Sequence, residues 1–257
     1  MNRTPEIRTT KDGSSTLYSN QFDQHYHNPN GAWSESRHVF FDIPGLTLDI
    51  RGNRPFNIIE TGFGTGLNFI MLADLLKEYS HTAPVHFSSV EAFPITPSQA
   101  SDLFFGNGIT DPTISEILPE IFRELKKGHN VFKPYPDLDL KLHLFYGPFS
   151  EWDLKTERAG YFFHDPFSPE ANPELWSEGV FGKLMKIADP EAMLATYCAA
   201  SSARASMAAA GWKVARAQGA LGKREMTIAS PSPSKLSSWK RVNEDRLIQR
   251  LRNGDFS

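Results

Sequence analysis

The chain has a single cysteine, Cys198, in 257 residues, so it can form neither an internal disulfide nor a cysteine-based zinc cluster. It lacks any run of about 18 apolar residues, which leaves no candidate membrane helix. The polar start from Met1 to Thr10 lacks the apolar segment of a secretory signal. No G-K-[S/T] follows a glycine loop, so a phosphate-cradling P-loop is absent. Neither Ser150 nor Ser168 sits in a G-x-S-x-G elbow, and a hydrolase triad has no support. The eight histidines include no i, i+4 pair on a helix, which argues against a metal. The expectation is a soluble cytoplasmic protein with no membrane and no metal partner; the oligomeric state stays open.

What is present is 40% hydrophobic residues with 19 Phe, interrupted by 18 Gly and 18 Pro. That composition gives a Phe-rich core with many breaks and excludes disorder, collagen and coiled coil. The length fits one α/β domain with extensions or two small domains. The balance of 27 Lys+Arg against 30 Asp+Glu is uneven along the chain. Residues 201–257 carry 11 basic against 4 acidic side chains, and the first 200 carry 16 against 26. A basic end on an acidic body is either a footprint for a polyanion or a solvated helix face.

Residues 1–54 read as an N-terminal extension, frayed to about residue 16 and hairpin-like after it, packed on the core. Residues 55–230 alternate apolar strand runs with helical ones, which implies βαβ units and a parallel sheet. The strand runs are 56–60, 86–91, 141–146, 161–165, 192–197, 212–217 and 225–229. The last two, joined by a glycine-containing loop, suggest an antiparallel edge. Leu67 to Leu76 is apolar nearly all round, as a buried helix is. Residues 97–130 read as short helices begun by Thr96-Pro97 and stopped by Gly128. Pro173 opens a helix to about Ile187, and an Ala-rich one runs from Ser201 to Ala210. Residues 231–257 read as a Ser/Pro linker followed by a basic helix over 235–252.

Gly62, Gly64 and Gly66 lie between the first of these strands, which ends in Glu60, and a helix. Glycines there let the backbone turn sharply and approach a ligand without a Cβ in the way. Their spacing is G-x-G-x-G, not the dinucleotide G-x-G-x-x-G. Glu60 would repel a pyrophosphate but suits a cationic, hydroxyl-rich ligand. S-adenosylmethionine carries a sulfonium, an ammonium and a ribose, and no phosphate; a tight turn without a ligand is the alternative. Glu91 ends the next strand 25 residues after Gly66, near the offset at which an acidic residue meets ribose hydroxyls. Asp165-Pro166-Phe167-Ser168-Pro169 follows an aromatic strand whose end would reach the ligand crevice. There an acceptor can hold an amino group and an aromatic ring can stack on a base. The arrangement is similar to the Asp/Asn-Pro-Pro-aromatic motif of amino-group methyltransferases. His164 alternates to the other face, and Cys198 reads as a buried hydrophobe.

These segments resemble the methyltransferase domain family of the bifunctional tRNA 5-methylaminomethyl-2-thiouridine biosynthesis protein and its stand-alone relatives. The match runs from Glu60-Thr61-Gly62-Phe63-Gly64-Thr65-Gly66-Leu67-Asn68-Phe69 through Asp165-Pro166-Phe167-Ser168-Pro169 and Asn172-Pro173-Glu174-Leu175-Trp176. Ala195-Thr196-Tyr197, Arg204, Gly211-Trp212 and Gly222-Lys223-Arg224-Glu225-Met226 continue it, and Ser19 to Phe40 is similar to the family's N-terminal extension. The family usually has Asp-Gly-Phe-Ala-Pro at 165–169, and often Gly-Asp where this chain has Gly147-Pro148. Adenine recognition then falls to backbone around Pro148 or to Phe149. The chain stops at Ser257 with no counterpart of the flavin-dependent half, so the expected form is a stand-alone one whose aminomethyl group is made elsewhere.

The resemblance implies a class I S-adenosylmethionine-dependent methyltransferase, Rossmann-like, with a mostly parallel seven-stranded sheet and an antiparallel edge strand. Its substrate would be the aminomethyl group of a wobble uridine in tRNA. Glu60, Gly62, Phe63, Gly64, Gly66, Asn68, Glu91, Pro148 and Phe149 would hold the cofactor. Asp165, as an ordinary carboxylate near pKa 3.9, is a poor base for an ammonium and would instead orient the amine. Phe167 would stack on the uracil, and Arg204, Lys223 and Arg224, with the 235–252 segment, would meet phosphates. Three alternatives stand beside this reading: an amino-group methyltransferase for DNA or protein, a nicotinamide oxidoreductase, and a non-catalytic tRNA-binding module.

Overall fold

The computed structural model describes residues 5–106, 108–154 and 158–256. Three short antiparallel strands come first: β1 (Glu6–Thr9), β2 (Ser15–Ser19) and β3 (Gln24–His25). The turn between β1 and β2 is closed by the Asp12 carboxylate, which accepts from the Ser14 amide and hydroxyl and from the Ser34 amide. The chain from residue 6 is therefore paired rather than frayed; residues 1–4 lie outside the described residues. Helical segments Ala32–Ser36, Arg37–Asp42 and Leu46–Arg51 follow, so the apolar run Val39-Phe40-Phe41 lies in a helical turn. It is not part of a hairpin, because all three side chains are buried on one side of the main sheet.

That sheet contains β4 (Phe56–Thr61), β5 (Val85–Glu91), β6 (Gly128–Phe132), β7 (Leu140–Tyr146), β8 (Ala159–His164), β9 (Ala188–Thr196), β10 (Lys213–Ala217), β11 (Met226–Ser230) and β12 (Lys240–Arg241). Their spatial order is β12-β10-β11-β9-β8-β4-β5-β7-β6. The five central strands β9, β8, β4, β5 and β7 are parallel. β11 runs antiparallel between β9 and β10. The seven expected strands are all present, and the short β6 and β12 extend the sheet at its two edges. Gly128, with φ +90°, begins β6 instead of ending a helix, because the helix Leu118–Glu124 has already stopped.

Alternation along the strands builds two cores. Ile58 and Phe163 face the layer made by Leu67–Glu78 and the N-terminal helices, whereas Ile59 and Phe162 face Trp176, Phe181, Met207 and Trp212. Phe40 and Phe41 reach Phe163 with ring centroids 5.0 and 5.4 Å apart, so the extension covers one sheet face. Sandwiched this way, Leu67–Glu78 is buried from Leu67 to Leu76, as its all-round apolar sequence requires.

The C-terminal end differs from its sequence reading. Leu236, within the 3-10 turn Pro233–Leu236, is fully buried, and Arg241 pairs with Ala215 across β12 and β10. The helix is only Glu244–Arg252, because Asn243 caps it by accepting from the Arg246 amide. From β4 the chain moves to one side through β5 and β7, and from β7 it returns to β8 on the other side of β4. The strand order therefore reverses at β4/β8, which opens a crevice beyond their C-terminal ends. Gly62 and Asp165 sit there, one residue past each strand.

Candidate active site

The crevice holds a cavity of about 860 Å³, within the usual range for a small-molecule site. Gly62, Phe63 and Gly64 of the glycine loop line it, whereas Gly66, expected to hold the cofactor, does not. Gly62 has φ +93°, and a Cβ there would lie 3.0 Å from the Asp165 carbonyl oxygen. Gly64 has φ +55° and donates its amide to Glu91 Oε2 at 2.8 Å. Gly66 has φ +80° and starts the helix Leu67–Glu78. Phe63 is buried against Phe69 and Phe122. Only a chain free of Cβ atoms threads these points.

Behind the loop stands a buried polar chain. Glu60, 1% exposed, accepts from Ser89 Oγ at 2.7 Å and from Asn68 Nδ2 at 2.9 Å. Asn68 Nδ2 also donates to Asp165 Oδ2 at 3.2 Å, and Ser36 Oγ donates to Asn68 Oδ1. Asn68 and Asp165 line the cavity; Glu60 is not among its lining residues. Burial raises the Glu60 carboxyl to about pKa 8, despite its two donors. Burial, then the charges of Glu60 and Glu35, push Asp165 well above the ordinary carboxylate range, with Asn68 and Lys223 opposing. The expectation of an ordinary, weakly basic Asp165 is thereby corrected. Its environment makes it a stronger proton acceptor than a solvated aspartate.

Glu91 closes one side of the cavity, accepting from the Gly64 and Phe93 amides, each at 2.8 Å. Desolvation raises its pKa too. Gly147, Pro148, Phe149 and Ser150 form the next wall, and Lys183 donates to the Phe149 and Trp152 carbonyls beneath it.

Across the mouth runs β3 and the segment after it, which the sequence gave no reason to place here. Gln24 grips Ser168 twice, accepting from its amide at 3.1 Å and donating to its hydroxyl at 2.6 Å. His27 pairs with Thr65 Oγ1 at 2.8 Å, and burial lowers its pKa to about 4, so it stays neutral at pH 7. Tyr26 lies against Gly64, and Phe22 stacks on Phe167 with centroids 4.6 Å apart. Phe167 therefore offers a base an aromatic wall shared with Phe22, not two open faces. Glu35 also lines the cavity, and no local motif marks it; its partners Asn28 and Lys223 are 7 and 188 residues distant in sequence.

The three basic candidates separate. Lys223 Nζ sits 2.7 Å from Glu35 and over the Tyr197 ring, inside the cavity lining. Arg224 is exposed on the neighbouring turn, with no ion pair among the described residues. Arg204 is 3% exposed and bonds Thr227 Oγ1, Glu225 and the Met226 carbonyl, so it cannot reach a phosphate. Its role is to pin the helix Ser201–Ala209 to β11. Arg204→Ala should cost about 3 kcal/mol of unfolding free energy, since it leaves the buried Thr227 hydroxyl and Met226 carbonyl without their donor and Glu225 with Arg216 alone. Chemical denaturation checks this, and S-adenosylmethionine affinity should hardly change. His164 is fully buried between Trp176 and Phe181, on the face away from Asp165. Cys198 is buried as expected.

S-adenosylmethionine is tested by the donor set. The lining offers Glu35, Glu91, Asp165 and Glu174, while its two lysines are already bound to carbonyls or to Glu35. Such a wall suits a sulfonium, an ammonium and ribose hydroxyls, and disfavours a pyrophosphate. Among the described residues no cluster of three or more His, Cys, Asp or Glu is placed to hold a metal, and no helix is long and apolar enough to cross a membrane.

Comparison with known proteins agrees. Residues 112–232 match the family model described as S-adenosyl-L-methionine-dependent methyltransferase. The chain is 34% identical over 221 residues to the tRNA 5-methylaminomethyl-2-thiouridine biosynthesis bifunctional protein MnmC of Cupriavidus metallidurans, covering 85% of this chain and 33% of that protein. The namesake from Leptospira borgpetersenii is 32% identical over 218 residues, covering 82% and 33%. The chain thus spans about a third of the length of these curated relatives. The crystal structure of MnmC2 from Aquifex aeolicus superposes with a TM-score of 0.75 at 25% identity, over 97% of this chain and 76% of that one. Residues 112–232 thus match the S-adenosyl-L-methionine-dependent methyltransferase family, the whole chain has the fold of such an enzyme, and its sequence likeness covers about a third of the bifunctional proteins.

Proposed function

We propose that the chain methylates the aminomethyl nitrogen of 5-aminomethyl-(2-thio)uridine at the wobble position of tRNA, in the cytoplasm. The observation that carries this reading is Asp165, a carboxyl held by Asn68 on the wall of the cavity beside the stacked Phe22–Phe167 pair. The likeness to the tRNA 5-methylaminomethyl-2-thiouridine biosynthesis proteins supports the acceptor. S-adenosylmethionine, held by Glu91, the Gly62–Gly66 backbone and the wall from Pro148 to Phe149, supplies an electrophilic methyl group when bound. The chain's own residues must deliver a neutral amine to it. Asp165 accepts a proton from the ammonium, which frees the nitrogen lone pair to attack the methyl group. Phe167 and Phe22 give the uracil a flat surface. Gln24, Tyr26 and His27 strap the mouth and exclude water.

The test is methyl transfer in vitro, read by nucleoside mass spectrometry of tRNA carrying the unmethylated aminomethyl group. Conversion to the methylaminomethyl nucleoside is expected. Methylation of DNA or protein, with tRNA left untouched, would replace this acceptor with another.

Docking of the tRNA adds a second prediction. Lys223 is already neutralised by Glu35, so the exposed Arg224 is the better phosphate ligand of the two. Arg224→Glu should weaken tRNA binding and lower the log–log salt slope by about one. S-adenosylmethionine affinity should stay within about twofold. An unchanged slope with unchanged affinity removes Arg224 from the interface.

A further inference from the structure

Two phenylalanines stand exposed among the described residues, Phe93 and Phe104, at 52 and 54%. A single bare ring means little by itself. Phe93 differs from Phe104 in bordering the cavity. Its amide donates to Glu91 Oε1 at 2.8 Å and Pro94 comes next, so the backbone is fixed while the ring is bare. The ring is also the outer member of an aromatic row. Phe93 and Phe22 meet edge to face with centroids 5.4 Å apart, and Phe22 stacks on Phe167 at 4.6 Å. Phe22, Tyr26 and Phe93 line a second cavity as well, of about 890 Å³, which adjoins the first. The row thus begins two residues from Asp165 and leads outwards through the mouth. No lysine or arginine is among the described residues that line the second cavity.

We propose that Phe93, with the outer edge of Phe22, is a stacking surface for a base adjacent to the wobble uridine in the RNA strand. The role rests on the function proposed above. A uridine drawn in against Phe167 leaves the stack of its neighbours, and an aromatic ring can take the place it vacates. The neighbour is covalently tied to that uridine, so it stays close to the mouth that Phe22 and Phe93 border. Every base has a π face, which makes such a contact tolerant of sequence. A ring on a fixed backbone loses little freedom when it stacks. The absence of basic side chains from the second cavity separates this contact from phosphate docking. Its contribution should therefore be nearly independent of salt, unlike that of Arg224.

The experiment uses anticodon stem-loops that carry the aminomethyl uridine, intact or with an abasic nucleotide on one side of it or the other. Binding by fluorescence anisotropy and steady-state methyl transfer are measured for wild type, Phe93→Ala, Phe93→Leu and Phe93→Trp. Phe93→Ala should raise Kd and KM for the intact stem-loop about tenfold or more. Its kcat should stay within about twofold and its salt slope should not move. Phe93→Leu, apolar but not flat, should lose nearly as much, whereas Phe93→Trp should bind as wild type does. An abasic nucleotide on one side should weaken wild type to a similar degree, and Phe93→Ala should lose little more on that RNA. Unchanged Kd and KM in Phe93→Ala overturn the proposal, as do losses that simply add on both abasic RNAs. So does a loss of S-adenosylmethionine affinity in Phe93→Ala with RNA affinity intact, which would make the ring a cofactor contact. Coupled binding losses on a stem-loop that is never methylated keep the stacking surface and reject the acceptor.

Discussion

Asp165→Ala should lower methyl transfer to aminomethyl-uridine tRNA by about 10²- to 10⁴-fold, the range for loss of a general base. S-adenosylmethionine affinity should change by no more than about threefold, because Asp165 lies past β8, apart from the hydrogen-bonded Gly64 and Glu91 to which cofactor binding is assigned above. Asp165→Asn discriminates between two roles. An acceptor that only orients the amine would survive in part as an amide oxygen, whereas a base would not, since an amide cannot take the proton. The raised proton affinity of Asp165 favours the second outcome, with Asn as slow as Ala. Single-turnover rates measured for both variants decide it, and a fully active Asp165→Ala protein would remove the residue from the chemistry.

The same carboxyls should leave a mark on stability. A carboxyl whose folded pKa is raised binds its proton more tightly in the folded state. Its stabilising share is complete below the unfolded value and is lost as pH rises through the folded one. For Glu60 that window runs from about 4.3 to about 8. Asp165, shifted the same way, adds to it from about 3.9 upwards. Melting temperature should therefore fall across this window, and Glu60→Gln should flatten the fall. At pH 8 the variant should melt above the wild type, as expected where charge is buried for function and not for folding.

Which parts of this site the sequence displays follows from how far each partner lies along the chain. β4, its glycine turn and the helix Leu67–Glu78 are contiguous, so hydrophobic period and glycine spacing reveal them together. Asp165 is legible because a proline follows an aromatic strand. The strap Gln24–His27 is not, because its partners Thr65 and Ser168 are 38 and 144 residues away and no local pattern encodes either pairing. Arg204 shows the opposite error. Its charge suggested phosphate, but its place on a helix packed against β11 turns the guanidinium inward to Glu225 and Thr227. The C-terminal segment misled for a third reason: its basic residues mask how firmly Leu236 and β12 tie it to the sheet edge. Glu60 was legible as an important carboxylate but not as one facing another carboxylate, since only the fold brings β4 and β8 side by side.

Gly64→Val should abolish measurable S-adenosylmethionine binding, a loss of more than about 100-fold, while leaving a folded protein. Gly64 has φ +55°, a region that costs a branched residue about 1–2 kcal/mol. Its Cβ would lie 3.3 Å from the Tyr26 ring, a side chain just past β3 and outside the main sheet. The fold should absorb that displacement, but the ligand should not. The valine methyls would occupy the approach to the backbone, and the loop shift would disturb the Gly64 amide that holds Glu91. Gly66 provides the contrast. A Cβ there would come within 2.6 Å of Leu118 in the closed core, so Gly66→Val should lose stability first and binding only as a consequence. Calorimetry with S-adenosylmethionine and S-adenosylhomocysteine, paired with thermal denaturation of both variants, separates these effects. If the Gly64→Val protein binds S-adenosylmethionine normally, the glycine loop is not the cofactor floor. Tight NAD binding by the wild type with no response to S-adenosylmethionine would contradict the electrostatic reading of the cavity wall.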